Sequence, residues 1–228
     1  MNANSALPQD TWRADLALAP SIGLLAVRLI EWAREAGSGG LIHVAGEERR
    51  AEQLAQALRG LAPDLEVLLL PPWDCLPYDS ASPSREAMGQ RASVLRRMGE
   101  ASEAPRLLIA SAAAIVQRVP PQETWTEAAF SLKAGEAFSQ EDLEAYLHRA
   151  GYVLDDRVDE PGEAAIRGQV LDLFPANSPF PYRAEHEGGA ILSIRRYDPV
   201  SQRTEAEVEG LLLEPASEVV LEKTPEGG

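Results

Sequence analysis

Apolar positions in the first half of the chain switch between two periods. Ile22, Leu25, Leu29 and Trp32 recur at helical spacing, which lines one face of an α-helix. Ser21 after Pro20 supplies an N-cap and Gly37 a stop, so a helix is predicted over 21–36. Leu41 to Ala45 is a short apolar run between Gly40 and Gly46, the pattern of a buried strand. Helical spacing returns over Glu47 to Arg59 through Leu54, Ala57 and Leu58, and Glu66 to Leu70 is a second strand closed by Pro71 and Pro72. Ser84 to Met98 predicts another helix, with Ala87, Val94, Leu95 and Met98 on its apolar side, and Arg106 to Ser111 a third strand. Strands alternating with helices predict a parallel sheet in an α/β layer.

The pattern changes near Pro120-Pro121, which with the polar residues to Thr126 marks the expected domain boundary. Beyond it, Phe130 to Leu132 reads as a strand, and Ser139 with Asp142 as a capped start to a helix ending near Ala150. Strand-like stretches follow at Tyr152 to Val158, Ala165 to Phe174, Tyr182 to Glu187 and Ile191 to Tyr197, with turn signals at Pro161-Gly162, Asn177-Ser178-Pro179 and Gly188-Gly189. The expected organisation is an α/β unit over 1–120, an antiparallel α+β unit over 121–218 and an acidic tail over 219–228. Glu205, Glu207, Glu209, Glu214, Glu218, Glu222 and Glu226 against a single Lys223 read as a solvated end.

Charge narrows the partner classes. The 228 residues carry a net charge of -15, with a pI near 4.6. Such a chain repels a phosphate backbone, so a protein is a better partner than DNA. The lone Cys75 and three histidines provide neither an internal disulfide nor a Cys/His metal cluster. Met1 to Leu7 lacks a signal-peptide layout, and Ile22 to Trp32 is too short and too charged to span a membrane. A cytoplasmic protein without membrane contact is expected.

A parallel α/β unit invites a search for a phosphate loop after its first strand. There the sequence reads Gly46-Glu47-Glu48-Arg49-Arg50. A working loop needs several glycines, then Lys and Ser/Thr. Here two carboxylates occupy a helix N-terminus, where they suit the dipole and repel a nucleotide. No cofactor is expected. His43 reads as a structural residue in an apolar strand, and His148 and His186 lack partners at metal-ligand spacing. Asp155, Asp156, Asp159 and Glu160 read as a solvated turn, and Cys75 has no activating His nearby in sequence. Trp73, Leu76, Pro77 and Tyr78 are expected to close the end of the second strand and cover a small core.

Two stretches carry a family resemblance. One is Pro72-Trp73-Asp74-Cys75-Leu76-Pro77-Tyr78-Asp79-Ser80, followed by Ser82-Pro83, Arg91 and Leu95. The other is Val158-Asp159-Glu160-Pro161-Gly162-Glu163, then Ile166 to Pro175, Pro181-Tyr182-Arg183, Tyr197-Asp198-Pro199, Ser201-Gln202-Arg203-Thr204 and Leu213-Glu214-Pro215. From about residue 40 to 220 the chain resembles the N-terminal UvrB-homology region of bacterial transcription-repair coupling factors.

The resemblance implies a degenerate helicase-type α/β domain, without a phosphate loop, followed by a module similar to UvrB domain 2. It implies a non-catalytic adaptor that recruits UvrA in nucleotide excision repair, with RNA polymerase and DNA reached only through domains absent from these residues. It also implies a rival role, a clasp held against the family's C-terminal domain. The motor motifs and the return to the first domain are not in the chain, which is expected to be a fragment or a short relative. Arg167 matches the family's Arg-Gly position on the UvrA-contacting surface; where UvrB has a second arginine two residues earlier, this chain has Ala165. Arg167 reads either as a docking anchor or as an ion-pair partner of Asp172 or a nearby Glu. Alternation places Ile166 and Val170 inward and Arg167 outward. Arg157, Arg183 and Phe174 are the other candidate partner-binding residues, with a surface ion pair the competing role for Arg183 and core packing for Phe174.

Overall fold

The computed structural model describes residues 20–76, 80–125 and 128–219. Helix α1 (Ile22–Ala36) starts where the Ser21 hydroxyl accepts from the Leu24 N–H and stops at Gly37, whose φ of 55° suits a residue without a side chain. Strands β1 (Leu41–Ala45), β2 (Glu66–Leu70) and β3 (Arg106–Ser111) form a parallel sheet in the order β1-β3-β2. The predicted α/β character and parallel pairing are thus observed.

Helix α2 (Glu48–Leu61) joins α1 on one face of this sheet, where Leu25, Leu29, Leu54 and Leu58 pack on Val67, Leu107 and Ile109. Helix α3 (Arg85–Gly99) covers the other face through Ala92 and Leu95 on Leu68, Leu70, Leu108 and Ala110. Coverage on both faces explains the unbroken apolar runs of β2 and β3. Trp125, on a 3-10 turn over Gln122–Trp125, joins the α3-side core. A short helix α4 (Ala112–Ile115), capped by the Ser111 hydroxyl, follows β3.

The chain then forms β4 (Phe130–Lys133), α5 (Gln140–Arg149) and a six-stranded sheet ordered β10-β9-β8-β7-β6-β5. Its strands are β5 (Val153–Leu154), β6 (Glu163–Arg167), β7 (Val170–Leu173), β8 (Tyr182–Glu187), β9 (Ala190–Tyr197) and β10 (Thr204–Val208). All neighbours are antiparallel except β5 and β6. Strand β11 (Gly210–Leu213) returns to pair with β4. Helix α5 and the β4–β11 ribbon cover one sheet face, with Leu143, Leu147, Leu132 and Leu213 packed on Leu171, Leu173, Ala184 and Ile194.

Four details differ from the pattern-based expectation. The strand-like stretch from Ala165 to Phe174 is not one strand: it folds at Gly168-Gln169 into the β6–β7 hairpin, with Arg167 opposite Val170. Gly168, at a φ of 62°, is the first loop residue of this two-residue turn. Val170 therefore shares a face with Arg167 rather than with Ile166. Only Val153–Leu154 of the predicted strand from Tyr152 is extended. The stretch read as a solvated acidic end contains β10 and β11, and Glu214 and Glu218 are buried.

Those two glutamates join the two halves. Arg91 Nε donates to Glu218 at 2.5 Å, and Arg91 Nη1 to the Pro71 carbonyl at 2.7 Å. Trp73 Nε1 donates to the same Glu218 oxygen at 2.6 Å. Arg96 Nε reaches Glu214 at 2.5 Å, and Asn177 donates to the other Glu214 oxygen. Gly89 of α3 lies against Ala176, with no room for a methyl group between them. Trp73 thus ties the halves together. Leu76, which was expected to cover a core, is 75% exposed; Pro77 and Tyr78 lie outside the described residues.

Candidate partner-docking face

The face of the six-stranded sheet turned away from α5 carries charge where the opposite face carries Leu and Ile. The register sets Ala165, Asp172, Arg183, Arg195 and Glu207 in one row across β6 to β10. Arg167 and Glu185 belong to the adjoining row. Alternation on strands pinned by the apolar face dictates this outcome: burying Leu171, Leu173, Ala184 and Ile194 forces Asp172, Arg183 and Arg195 to the other side.

Asp172 is the hub. Its side chain is 1% exposed and accepts from Arg183 Nε at 2.6 Å and Arg183 Nη2 at 2.9 Å, a two-pronged bond. Arg167 Nη2 donates to the same carboxylate, while Arg167 Nη1 reaches the Asp156 carbonyl at 3.2 Å. The Arg167 side chain is 51% exposed and that of Arg183 26%. Both readings of Arg167 therefore meet in one residue, paired to Asp172 and still open to solvent. Hydrogen bonding to Asp172 raises the Arg183 pKa further above its already high value, and burial works against it.

Tyr197 floors the cluster, with the Arg183 guanidinium 4.8 Å from its ring centroid. Burial, reinforced by the Asp172 charge, pushes its phenol up to about 12, so the ring stays neutral at physiological pH. Arg195 stands opposite Arg183 across β8 and β9, a like-charge neighbour. It is flanked by Glu185 at 3.3 Å and Glu207 at 4.0 Å.

The remaining candidates fall at the margin or beneath. Arg157 is exposed and pairs with Asp159 at 2.9 Å, on the loop whose Asp156 carbonyl holds Arg167. Phe174 is 5% exposed and packs with Val158 and Ala165 under that loop. It lies on the charged side of the sheet but is covered by that loop, so it presents almost no surface to a partner. The sequence offers Asp172 as an ion-pair partner of Arg167, which is observed, but not as the shared partner of Arg183, and it does not single out Arg195. Their signal was the parity of charged positions on β7, β8 and β9, which becomes readable only once the Gly168-Gln169 turn fixes the register.

At the C-terminal ends of the parallel strands, where a phosphate loop would act, lies a cleft of about 180 Å³ lined by Glu48, Glu52, Asp74, Glu86, Ser84 and Ser111. Glu47 is the N-cap of α2 without a side-chain cap bond, and Glu48 lies in the first turn. The Ser84 hydroxyl and backbone N–H hold the Asp74 carboxyl below the usual range, so it too is ionised. Carboxylates thus occupy the place where phosphate would need donors. Burial, with the Arg50 charge, holds the His43 imidazole below its usual value. His186 packs against Phe138 with the ring centroids 4.8 Å apart and tilted by 57°, and no group able to hold a metal ion occurs among the described residues. No helix among the described residues is long and apolar enough to cross a membrane.

The strands that carry the charged face lie within residues 130–219, which match the family described as the UvrB interaction domain. Beyond that segment, the chain is similar to part of several proteins named transcription-repair-coupling factor. It is 34% identical to that of Escherichia coli over 201 residues, which cover 88% of this chain and 17% of that protein. It is 35% identical to that of Myxococcus xanthus over 189 residues, covering 79% and 16%. The Bacillus subtilis protein is 31% identical over 172 residues, covering 75% and 14%. The resemblance carried by the two sequence motifs is thereby shown. The chain spans less than a fifth of the length of these curated relatives.

Proposed function

We propose that this chain is a non-catalytic adaptor that binds UvrA in transcription-coupled nucleotide excision repair, with residues 121–218 as the docking unit and the first 120 residues as its support. Residues 219–228 are assigned to an acidic tail. The observation that carries the reading is the Arg167–Asp172–Arg183 cluster within the UvrB interaction domain match, whose two arginines reach solvent. Partly exposed guanidiniums beside a flat sheet are favoured interface anchors. Arg167 and Arg183 are the anchors, Arg157 flanks them, and Phe174 holds the Arg157 loop against the sheet through Val158. The acid-lined cleft favours an adaptor over a nucleotide-driven enzyme. The relatives are named for coupling transcription to repair, and we place this chain in the same cytoplasmic process. RNA polymerase and DNA are engaged by other parts of such proteins.

Co-elution of the chain with UvrA on a sizing column at tens of micromolar is the direct test. Arg167→Glu should weaken the complex by reversing charge at the anchor, and unchanged affinity would remove Arg167 from the site. No complex with the wild-type chain would end the adaptor reading. A clear rise in melting temperature with ATP and Mg²⁺ would replace it with a nucleotide-binding one.

A further inference from the structure

We infer that Asp172 is a positioning residue for docking, whose buried carboxylate holds the Arg167 and Arg183 guanidiniums as a preset pair that grips carboxylates on the partner. The inference rests on the docking reading above and adds which residue makes the arginines competent, and for what chemistry.

The geometry separates the roles by depth. Asp172 is sealed at 1% exposure, so it offers nothing to a partner directly, while both arginines reach past it into solvent. Each carboxylate oxygen is engaged: Oδ1 by Arg183 Nε, and Oδ2 by Arg183 Nη2 and Arg167 Nη2. Secondary contacts fix the outer ends, with Arg167 Nη1 on the Asp156 carbonyl and Arg183 Nη2 on Gln202 at 3.1 Å. A free arginine loses much rotamer freedom on binding, whereas one already clamped does not.

The charge count is unequal. Two guanidiniums share one carboxylate, and the same-face acids Glu185 and Glu207 are paired with Arg195. Counted alone, the Arg167–Asp172–Arg183 triad carries one surplus positive charge, with Glu185 and the Asp156–Asp159 loop close by. A planar fork with surplus charge matches a carboxylate. Phosphate of nucleic acid fits less well, because a chain with a net charge of -15 offers no extended basic track to follow a backbone.

The test is a binding cycle on the full chain, with UvrA as the probe, at a temperature where circular dichroism shows every variant folded. Asp172→Asn should weaken binding by about ten- to a hundredfold in the wild-type background, from freeing two side chains. In an R167Q/R183Q background the same change should have no effect. An equal loss in both backgrounds would show a merely structural role and overturn the inference. A wild-type complex that D172N leaves intact would overturn the positioning role alone; absence of any wild-type complex would remove the docking reading with it. If D172N does not fold, guanidinium NMR of the wild-type chain decides. Slowed rotation at Arg183 and Arg167, but not at exposed Arg28, supports the clamp, and free rotation at all three overturns it. A gel shift of duplex DNA at low salt that D172N abolishes would assign the pair to phosphate and overturn the carboxylate preference.

Discussion

Arg91 and Glu218, 127 positions apart in sequence, meet at 2.5 Å with both side chains buried. Helix α3 of the first half is thereby fastened to the segment after β11, and Trp73 donates to the same carboxylate. Removing one member of such a pair strands a buried charge, so Arg91→Met should destabilise the chain by about 3–5 kcal/mol in urea unfolding. The double change Arg91→Met with Glu218→Leu should recover a large part of that loss. A single variant as stable as the wild type would show that the junction contributes nothing.

Two glycines in helices should respond oppositely to alanine. A Cβ on Gly89 would lie 2.2 Å from the Ala176 Cβ and 2.9 Å from its carbonyl carbon, so Gly89→Ala should destabilise by about 1–3 kcal/mol. Gly60, in α2, has nothing within 4 Å of the same position. Gly60→Ala should therefore stabilise by about 0.5–1 kcal/mol through lower backbone entropy in the unfolded chain. Thermal melts of both variants check the signs.

Glu66 gives a pH dependence. Burial raises its pKa, but hydrogen bonds from Arg106, Ser102 and Arg97 outweigh burial and leave it below the reference value of 4.5. A depressed carboxylate contributes stability that is fully present above the unfolded value and disappears as pH falls through the folded one. The stability gap between the wild type and Glu66→Gln should thus be constant above about pH 5 and narrow progressively below 4.5. A gap that widens in acid would contradict the assignment.

The arginines of the charged face should differ in structural weight. Arg157, exposed and paired only with exposed Asp159, should tolerate alanine within about 0.5 kcal/mol. Arg183→Ala removes the bidentate partner of buried Asp172 and the contact with Tyr197, and should cost about 1–3 kcal/mol. Urea titrations at equal ionic strength separate the two.

Much of the parallel unit could be read from the chain because each element carries its own punctuation. Ser21 and Ser84 cap α1 and α3, Gly37 stops α1, and Gly40 and Pro71 bound β1 and β2. Glu214 and Glu218 were misread because sequence shows charge but not depth. They lie among residues that pattern as a polar end, and their arginine partners sit more than a hundred positions away. Arg167 projects outward as alternation predicts and pairs with Asp172, one of its two expected roles, but the hairpin that sets the two side by side is not visible in the strand-like pattern from Ile166 to Phe174. Arg195 was invisible for a related reason. Its place beside Arg183 follows from pairing between strands, and single-strand periodicity has no information about that.

The Gly168-Gln169 tip contains no slack: Arg167 and Val170 are already a paired rung on either side of it. Inserting one residue into β6 just before Arg167 would send the guanidinium toward Leu171 and the oily interior, where it has no counter-ion. The length of this bend, as much as its chemistry, therefore decides which way the arginine looks, and loop grafts that alter it should fail even when every side chain is retained.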